Sequence, residues 1–395
     1  MGSRSASEAL GEGPVLGKPW RSDIPTFPHS AGGRSGFWQS AAEQYPNRPL
    51  PRLLTDLGLA ILWAWRIRKQ KRGIPMFKIS VWHGDLSESY LRFVTQLGVD
   101  CLDFGQGDFF PGVKEQGYPD LDELLKIKKK VRSWGLGFNR VTLPDMTTKF
   151  MKGEEGGEKE LENTCNALKV FAEAGMPIAR QRLAGDTFPW MAKRWNSEHR
   201  GGYRYRSESV ALAEDNSGPP AAEDLELWWQ RFRAVYEKLV PIAEEGDIKL
   251  AIHPSDAPFP DTPLGGLGYH RVIDAFPSKN VGYLYCCGTR AQAGGSPLVL
   301  DELHNYGRKG RLFMIHLRNV RGSLATASGF EEVLLDDGDM NPAKILLELR
   351  RVGFDGCINP DHIPSLEGDE GTLTKGMAYS VGYLKALFAA MAVID

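Results

Sequence analysis

The stretch Gly356-Cys357-Ile358-Asn359-Pro360-Asp361-His362 joins a short apolar run to a carboxylate and an imidazole. The apolar residues predict a buried strand, and the polar pair follows directly after its end. Three earlier runs also end a predicted buried strand on a good metal ligand, namely Ala251-Ile252-His253, Tyr283-Leu284-Tyr285-Cys286 and Phe313-Met314-Ile315-His316. We expect these four strand ends to meet at one site.

From residue 76 onward, apolar runs of strand length alternate with amphipathic stretches of helix length. The predicted strands span 77–82, 99–104, 136–143, 178–183, 249–253, 281–286, 312–317 and 356–359. The predicted helices span 86–97, 121–134, 158–174, 223–245, 298–306, 342–352 and 373–392. Eight such units are the count of a (β/α)₈ TIM barrel, an α/β fold whose strand ends open on one face. A doubly wound open sheet is the main competitor, and ligands on the last four strand ends favour the closed barrel.

The chain has 395 residues, which suffice for one large domain and an extension. Residues 1–52 are rich in Gly, Ser and Pro, and a short apolar stretch with a basic end follows over 58–72. We therefore expect a poorly ordered N-terminal extension over 1–75 and a catalytic domain over 76–395. The stretch 58–72 is typical of a short helix with a charged end, and a membrane-surface anchor is the alternative. No run reaches the length of a membrane span.

The bulk composition limits the function classes. A formal net charge of −2 argues against a nucleic-acid partner. The five cysteines are too few and too scattered for a disulfide framework. An odd number of thiols without a secretory leader is typical of a reducing compartment, so we expect a cytoplasmic protein. The sequence leaves open whether the chain forms a homo-oligomer.

The candidate ligands His253, Cys286, His316 and Asp361 are separated by 33, 30 and 45 residues. This spacing excludes a local zinc finger, whose paired ligands lie two to five residues apart. It fits one ligand per strand at the mouth of a barrel. Imidazole, thiolate and carboxylate together suit Mn²⁺, Fe²⁺ or Zn²⁺. Each residue taken singly could instead be structural, and Cys287 is expected to point the other way and to pack.

The C-terminal half of the chain resembles the mannonate dehydratase family, within the xylose isomerase-like group of TIM barrels. The resemblance extends from about residue 239 to the end and is weaker over 77–183. It is carried by the runs His253-Pro254-Ser255-Asp256-Ala257-Pro258, Cys286-Cys287-Gly288-Thr289, His316-Leu317-Arg318-Asn319-Val320, Asp337-Gly338-Asp339-Met340, Pro360-Asp361-His362 and Ala378-Tyr379-Ser380.

The resemblance implies a hydro-lyase that dehydrates a small anionic sugar acid, D-mannonate or a related hexonate, to a 2-keto-3-deoxy acid. It implies that the divalent metal, Mn²⁺ or Fe²⁺, is held by His253, Cys286, His316 and Asp361. It further implies that His362 and Tyr379 lie close to the substrate. Arg318 would hold a carboxylate or hydroxyl, and Asp339 would lie near the site.

These residue types suit the implied reaction. Removal of a proton alpha to a carboxylate needs a Lewis acid and a cation to stabilise the developing charge. A base and an acid are also needed, and either His362 or Tyr379 could take either part. The structural alternatives are that Tyr379 packs on Tyr383 and that Arg318 pairs with Asp339. His83, after the first strand, could touch substrate or lie in a solvated loop.

The sequence also departs from the family. The region at the end of the second strand, Leu102-Asp103-Phe104-Gly105-Gln106-Gly107, lacks the family's paired histidines, and Ser255 stands at an acidic position. The fourth strand carries Ala179-Arg180-Gln181-Arg182 instead of an aromatic and amide run. Arginines 180, 182, 200, 204 and 206 could grip an anionic substrate. A sugar isomerase or epimerase of the same barrel group, or a catalytically silent sugar-acid-binding relative, therefore remains an alternative.

Overall fold

The computed structural model describes residues 77–144, 148–183, 193–213, 221–254, 266–369 and 374–394. The predicted extension over 1–75 lies outside these residues, and so do Ser255 and Asp256.

The strands of the described residues fall into two groups. In chain order they are β1 (Lys78–Trp82), β2 (Cys101–Asp103), β3 (Gly137–Thr142), β4 (Ile178–Gln181), β5 (Lys193–Glu198), β6 (Arg204–Ser209), β7 (Lys249–Ile252), β8 (Val281–Cys286), β9 (Leu312–His316), β10 (Asn319–Arg321), β11 (Gly329–Val333) and β12 (Cys357–Asn359). Eight of them close a parallel barrel in the order β1-β12-β9-β8-β7-β4-β3-β2. The predicted (β/α)₈ barrel is confirmed, and its strands are the eight that the sequence predicts.

Helices surround the barrel. They are α1 (Glu88–Leu97), α2 (Val113–Gln116), α3 (Leu121–Ser133), α4 (Thr148–Lys152), α5 (Gly157–Glu173), α6 (Ala222–Glu245), α7 (Gly266–Ala275), α8 (Cys287–Arg308), α9 (Leu324–Ala327), α10 (Pro342–Arg351) and α11 (Thr374–Met391). None of the described helices is long and apolar enough to cross a membrane.

Helix α8 begins earlier than predicted, directly after the end of β8. The Cys286 thiol caps the helix by accepting from the Thr289 amide. Gly295 interrupts the regular helical geometry with a φ of 73°, and Pro297 follows. These two residues explain why the hydrophobic period predicts only the second half of the helix. As a consequence, the first turn of α8 lies at the carboxyl end of the barrel.

A second sheet, which we call the accessory sheet, is separate from the eight strands of the barrel. It consists of β10, β11, β6 and β5 in antiparallel order. Two of its strands, β5 and β6, lie between the predicted strand 178–183 and the predicted helix 223–245, where the sequence predicts no strand. Strand β5 is exposed on nearly every residue, so it lacks the alternation that marks a half-buried strand.

The barrel interior has an apolar layer on one side. It is formed by one side chain each from β4, β7, β8 and β9, namely Ile178, Ala251, Leu284 and Met314. Residues two positions further along a strand point to the same face. The layer above Ala251, Leu284 and Met314 therefore consists of His253, Cys286 and His316, which all reach the barrel mouth.

The other side of the interior is polar and is organised by Asp103 of β2. This buried carboxylate accepts hydrogen bonds from Ser80 Oγ at 2.7 Å, from Asn139 Nδ2 at 2.7 Å and from the Asn359 amide. The four residues come from four different strands, β1, β2, β3 and β12. Asp103 thus ties the beginning of the barrel to its last strand.

We expect Asp103→Ala to lower the free energy of unfolding by about 3–5 kcal/mol, because three buried donors lose their acceptor. Urea unfolding followed by circular dichroism measures this loss. The control is Asp122→Ala, an exposed carboxylate in the first turn of α3, for which a change below about 1 kcal/mol is expected. Equal losses in the two variants would contradict a structural role for the Asp103 network.

Candidate active site

Three candidate ligands form a compact cluster at the carboxyl ends of neighbouring strands. One ligand atom each of His253, Cys286 and His316 lies within 4.8 Å of the other two, and all three side chains are buried. The β8–β9 register pairs Cys286 directly with His316. The His253 and His316 rings are 5.5 Å apart between centroids. Two imidazoles and a thiol in this arrangement could hold a borderline divalent cation.

Asp361 lies at the edge of this cluster and is not one of the three residues whose ligand atoms all lie within 4.8 Å of one another. Its Oδ2 is 3.2 Å from His316 Nδ1. The register of β12 with β9 pairs Asn359 with His316, so Asp361 follows two residues beyond the barrel wall. The structure therefore brings the four predicted ligands together, with Asp361 on the His316 side.

Buried polar atoms at the cluster lack hydrogen-bond partners. Both ring nitrogens of His316 and Oδ2 of Asp361 are buried and meet no hydrogen-bond geometry within the described residues. Buried polar groups are nearly always satisfied, and exceptions point to an ion or another ligand. The donor set and these unsatisfied atoms both fit a divalent metal.

The charges around the cluster favour the metal-binding forms of its thiol and its carboxylate. Burial raises the pKa of the Cys286 thiol, but Arg318 and His253 outweigh it and hold that pKa well below its ordinary value. Burial likewise raises the pKa of Asp361, and His316, His362 and Arg318 hold it well below its usual range. A thiolate and a carboxylate at the site are the forms that bind metal. Burial lowers the pKa of His316, but Asp361 and Cys286 raise it to about 9, so a bound metal would have to displace a proton from this ring.

Arg318 is a buried cation between the cluster and the accessory sheet. Its Nη1 donates to Glu332 at 2.7 Å and its Nη2 donates to Thr289 Oγ1 at 2.9 Å. Its Nε lies 3.5 Å from Asp361 Oδ2. A Cβ on Gly288 would come within 2.3 Å of Arg318 Cγ, so the first turn of α8 needs glycine there. The alternative that Arg318 pairs with Asp339 is wrong.

Glu332 on β11 is the site residue that the sequence analysis missed. It is buried, and besides Arg318 it binds Arg206 Nη2 at 2.9 Å and His362 Nδ1 at 2.8 Å. Burial raises the pKa of Glu332, but Arg318 and His362 lower it to about 2. The run Phe330-Glu331-Glu332-Val333 lacks the alternation of apolar and polar residues that would have indicated a strand with Glu332 on its buried face.

His362 lies beside the cluster, and its side chain is partly exposed. Its Nε2 is 3.6 Å from Asp361 Oδ2. A small cavity is lined by His362, Asp361 and Arg318, among others. This is the position that a proton-transferring group beside a metal-bound substrate would need.

Tyr379 and Asp339 make contacts away from the cluster. The Tyr379 hydroxyl donates to Asp336, which also forms an ion pair with Arg200, and the Tyr379 ring stacks on Tyr383 at 6.1 Å. Asp339 Oδ2 accepts from the Gly322 amide at 2.8 Å. In the described residues neither side chain hydrogen-bonds to a candidate ligand or to His362, so any role in the reaction stays a prediction.

His83 does not lie in a solvated loop. Its ring is buried, stacks on Phe104 at 4.8 Å and contacts Phe109 at 4.0 Å between centroids. Burial lowers its pKa to about 4. His83 is therefore a neutral aromatic residue at the end of β1.

Several known proteins are similar in sequence to this chain. A family model for D-mannonate dehydratase matches residues 222–394, the part of the chain that contains the four candidate ligands. Mannonate dehydratase 2 of Halalkalibacterium halodurans is 22% identical over 68% of this chain and 87% of its own length. Mannonate dehydratase of Streptococcus suis is 26% identical over 69% of this chain and 81% of its own length. Over its C-terminal part the chain is therefore similar to the mannonate dehydratase family.

Solved structures agree on the fold. The crystal structure of mannonate dehydratase from Streptococcus suis superposes with a TM-score of 0.64 at 20% identity, covering 80% of this chain and 94% of that one. A sugar phosphate isomerase/epimerase structure from Anabaena variabilis gives a TM-score of 0.53 at 14% identity, covering 80% and 99%. The similarity to mannonate dehydratases confirms the predicted hydro-lyase class.

We expect Cys286→Ser to weaken Mn²⁺ binding by at least about 100-fold, since losing a ligand costs more than disturbing its surroundings, which costs 10–100-fold. Serine can still cap α8, so the fold is retained. Cys287→Ser is the matched control, because Cys287 packs in the apolar core. Calorimetric titration of the full-length protein measures both affinities, and equal losses would mean that the thiol at 286 is not a ligand.

Proposed function

We propose that this protein is a metal-dependent lyase that dehydrates D-mannonate or a related hexonate to a 2-keto-3-deoxy acid. The observation that carries the proposal is the buried cluster His253, Cys286 and His316, with Asp361 at its edge and Arg318 beside it. Given the similarity to mannonate dehydratases, this arrangement supports Mn²⁺ or Fe²⁺ as the bound ion. All five cysteines are free thiols, which supports a cytoplasmic location.

His253, Cys286, His316 and Asp361 would hold the ion, which when bound supplies a Lewis acid for the substrate carboxyl. Arg318 adds a fixed positive charge on the neighbouring side. Because Glu332 and Thr289 hold its two terminal nitrogens, this charge needs no reorganisation when negative charge develops on the substrate. Burial at the site strengthens both effects.

The reaction removes the proton from the carbon next to the carboxylate and expels hydroxide from the following carbon. The base takes the proton, and an acid protonates the departing oxygen, so that water leaves. The resulting enol tautomerises to the 2-keto-3-deoxy acid. His362 is the residue best placed to move a proton, since it lines a cavity together with Asp361 and Arg318, and its Nε2 is 3.6 Å from Asp361 Oδ2. We assign Tyr379 the complementary proton transfer and Asp339 a place near the substrate, as the family resemblance implies.

The test is an assay of the full-length protein with Mn²⁺ or Fe²⁺ against a panel of hexonates, with detection of 2-keto acids and of ketoses. Metal-dependent formation of a 2-keto-3-deoxy acid is the expected result. Formation of a ketose or an epimer without loss of water would favour the isomerase or epimerase alternative. Metal binding without turnover of any hexonate would favour the silent sugar-acid-binding relative.

We expect His362→Asn to lower kcat by about 10²–10⁴-fold, the usual contribution of a positioned acid or base. Asparagine suits the position because the backbone φ of His362 is 51°, in the left-handed region that asparagine tolerates. His304→Asn is the control, since His304 is half-exposed and pairs with Glu348 on α10. Steady-state kinetics with metal analysis checks both variants, and an unchanged kcat in His362→Asn would remove His362 from the proposed mechanism.

A further inference from the structure

The carboxylate of Glu332 is held by four partners from four separate segments of the chain, namely β6, α8 and the segments that follow β9 and β12. Its Oε1 accepts from Arg318 Nη1 at 2.7 Å, from Arg206 Nη2 at 2.9 Å and from Gln292 Nε2 at 2.9 Å. Its Oε2 lies 2.8 Å from His362 Nδ1. Two guanidinium groups keep the carboxylate ionised, so it has no proton to donate. Oε2 can therefore only accept, and the hydrogen bond requires the proton to be on Nδ1 of His362.

The other nitrogen of His362 faces the site. In a neutral ring that carries its proton on Nδ1, Nε2 bears the lone pair. This Nε2 lies on the side of Asp361, 3.6 Å from Oδ2. Glu332 thus turns the basic nitrogen of the imidazole toward the cavity.

The backbone conformation of His362, which lies beyond the end of β12, is consistent with a residue that contacts from other segments hold in place. A φ of 51° is unfavourable for a non-glycine residue and is retained only where surrounding contacts hold it. Among the described residues, Glu332 is the hydrogen-bond partner of the His362 ring. Glu332 itself is fixed by the accessory sheet, since β11 pairs with β6.

We propose that Glu332 is a positioning residue that holds His362 in the Nδ1-protonated tautomer, so that Nε2 is the base of the reaction. The inference rests on the proposed function for the part played by His362. It assigns to the accessory sheet a duty in the chemistry, because that sheet carries both Glu332 and Arg206.

The test is Glu332→Gln, which preserves shape and reverses the hydrogen bond. The amide oxygen will face the three donors, since an NH₂ group there would meet two guanidinium groups. The NH₂ group then faces His362 Nδ1, which must become the acceptor, and the proton moves to Nε2. We expect kcat to fall by about 10²–10⁴-fold with little change in KM, as when a carboxylate that orients a catalytic histidine becomes an amide.

A second readout is independent of turnover. Nitrogen-15 NMR of the full-length protein, labelled at histidine and loaded with diamagnetic Zn²⁺, reports which ring nitrogen carries the proton, and His362→Asn assigns the signal. We expect the Nδ1-protonated form in the unmodified protein and the Nε2-protonated form in Glu332→Gln. Finding the Nε2-protonated form in the unmodified protein would overturn the inference without any variant.

Glu331→Gln is the matched control on the same strand. Its side chain is partly exposed and lies 4.0 Å from His199, away from His362. Both kcat and the His362 tautomer should be unchanged in this variant. If the unmodified protein turns over no hexonate, the proposed function fails, while the NMR comparison still decides whether Glu332 sets the tautomer.

Discussion

Alternation of side chains across the strands of a closed barrel is the constraint on which the site depends. The apolar layer of Ala251, Leu284 and Met314 fills the interior, and the next inward positions on the same strands carry His253, Cys286 and His316. No loop conformation is needed to bring these three groups together. A shift of one residue in any of the three strands would turn its ligand toward the surrounding helices. The strand register that packs the barrel interior therefore also brings the three candidate ligands together.

Charge balance explains why the surroundings of the cluster come from so many elements. A Cys286 thiolate and the carboxylates of Asp361 and Glu332 face one buried guanidinium, that of Arg318. Arg206 bridges Glu332 and Glu208, and Arg194 also pairs with Glu208 at 2.9 Å. The proposed divalent cation would neutralise the Cys286 thiolate and the Asp361 carboxylate. Buried charges of one sign are costly without a partner, so metal binding and the stability of the accessory sheet are expected to be linked.

The sequence predicted what is encoded locally and missed what depends on distant partners. The last four barrel strands each end on or just before a candidate ligand, and the unit spacing of these residues indicates a barrel mouth, so the strand positions and the clustering of the candidates follow from pattern alone. The accessory sheet does not, because β5 is exposed almost throughout and shows no alternation. Glu332 looks like a surface residue beside Glu331, and only the pairing of β11 with β6 buries it. The beginning of α8 was not predicted because its first residues, Cys287-Gly288-Thr289, show no helical period of apolar residues.

The departures from the family pattern lie in the other half of the barrel, where a hydrogen-bond network fills the interior. At the end of the second strand, where paired histidines are absent, Asp103 instead points inward and binds Ser80, Asn139 and Asn359. Asn359 is also the residue whose register partner is His316, so it joins the two halves. The interior of β1 to β3 is thereby closed by a satisfied polar network rather than opened to a ligand. The candidate ligands and the polar network are therefore carried by different strands, His253, Cys286 and His316 by the ends of β7, β8 and β9 and the network by β1, β2, β3 and β12.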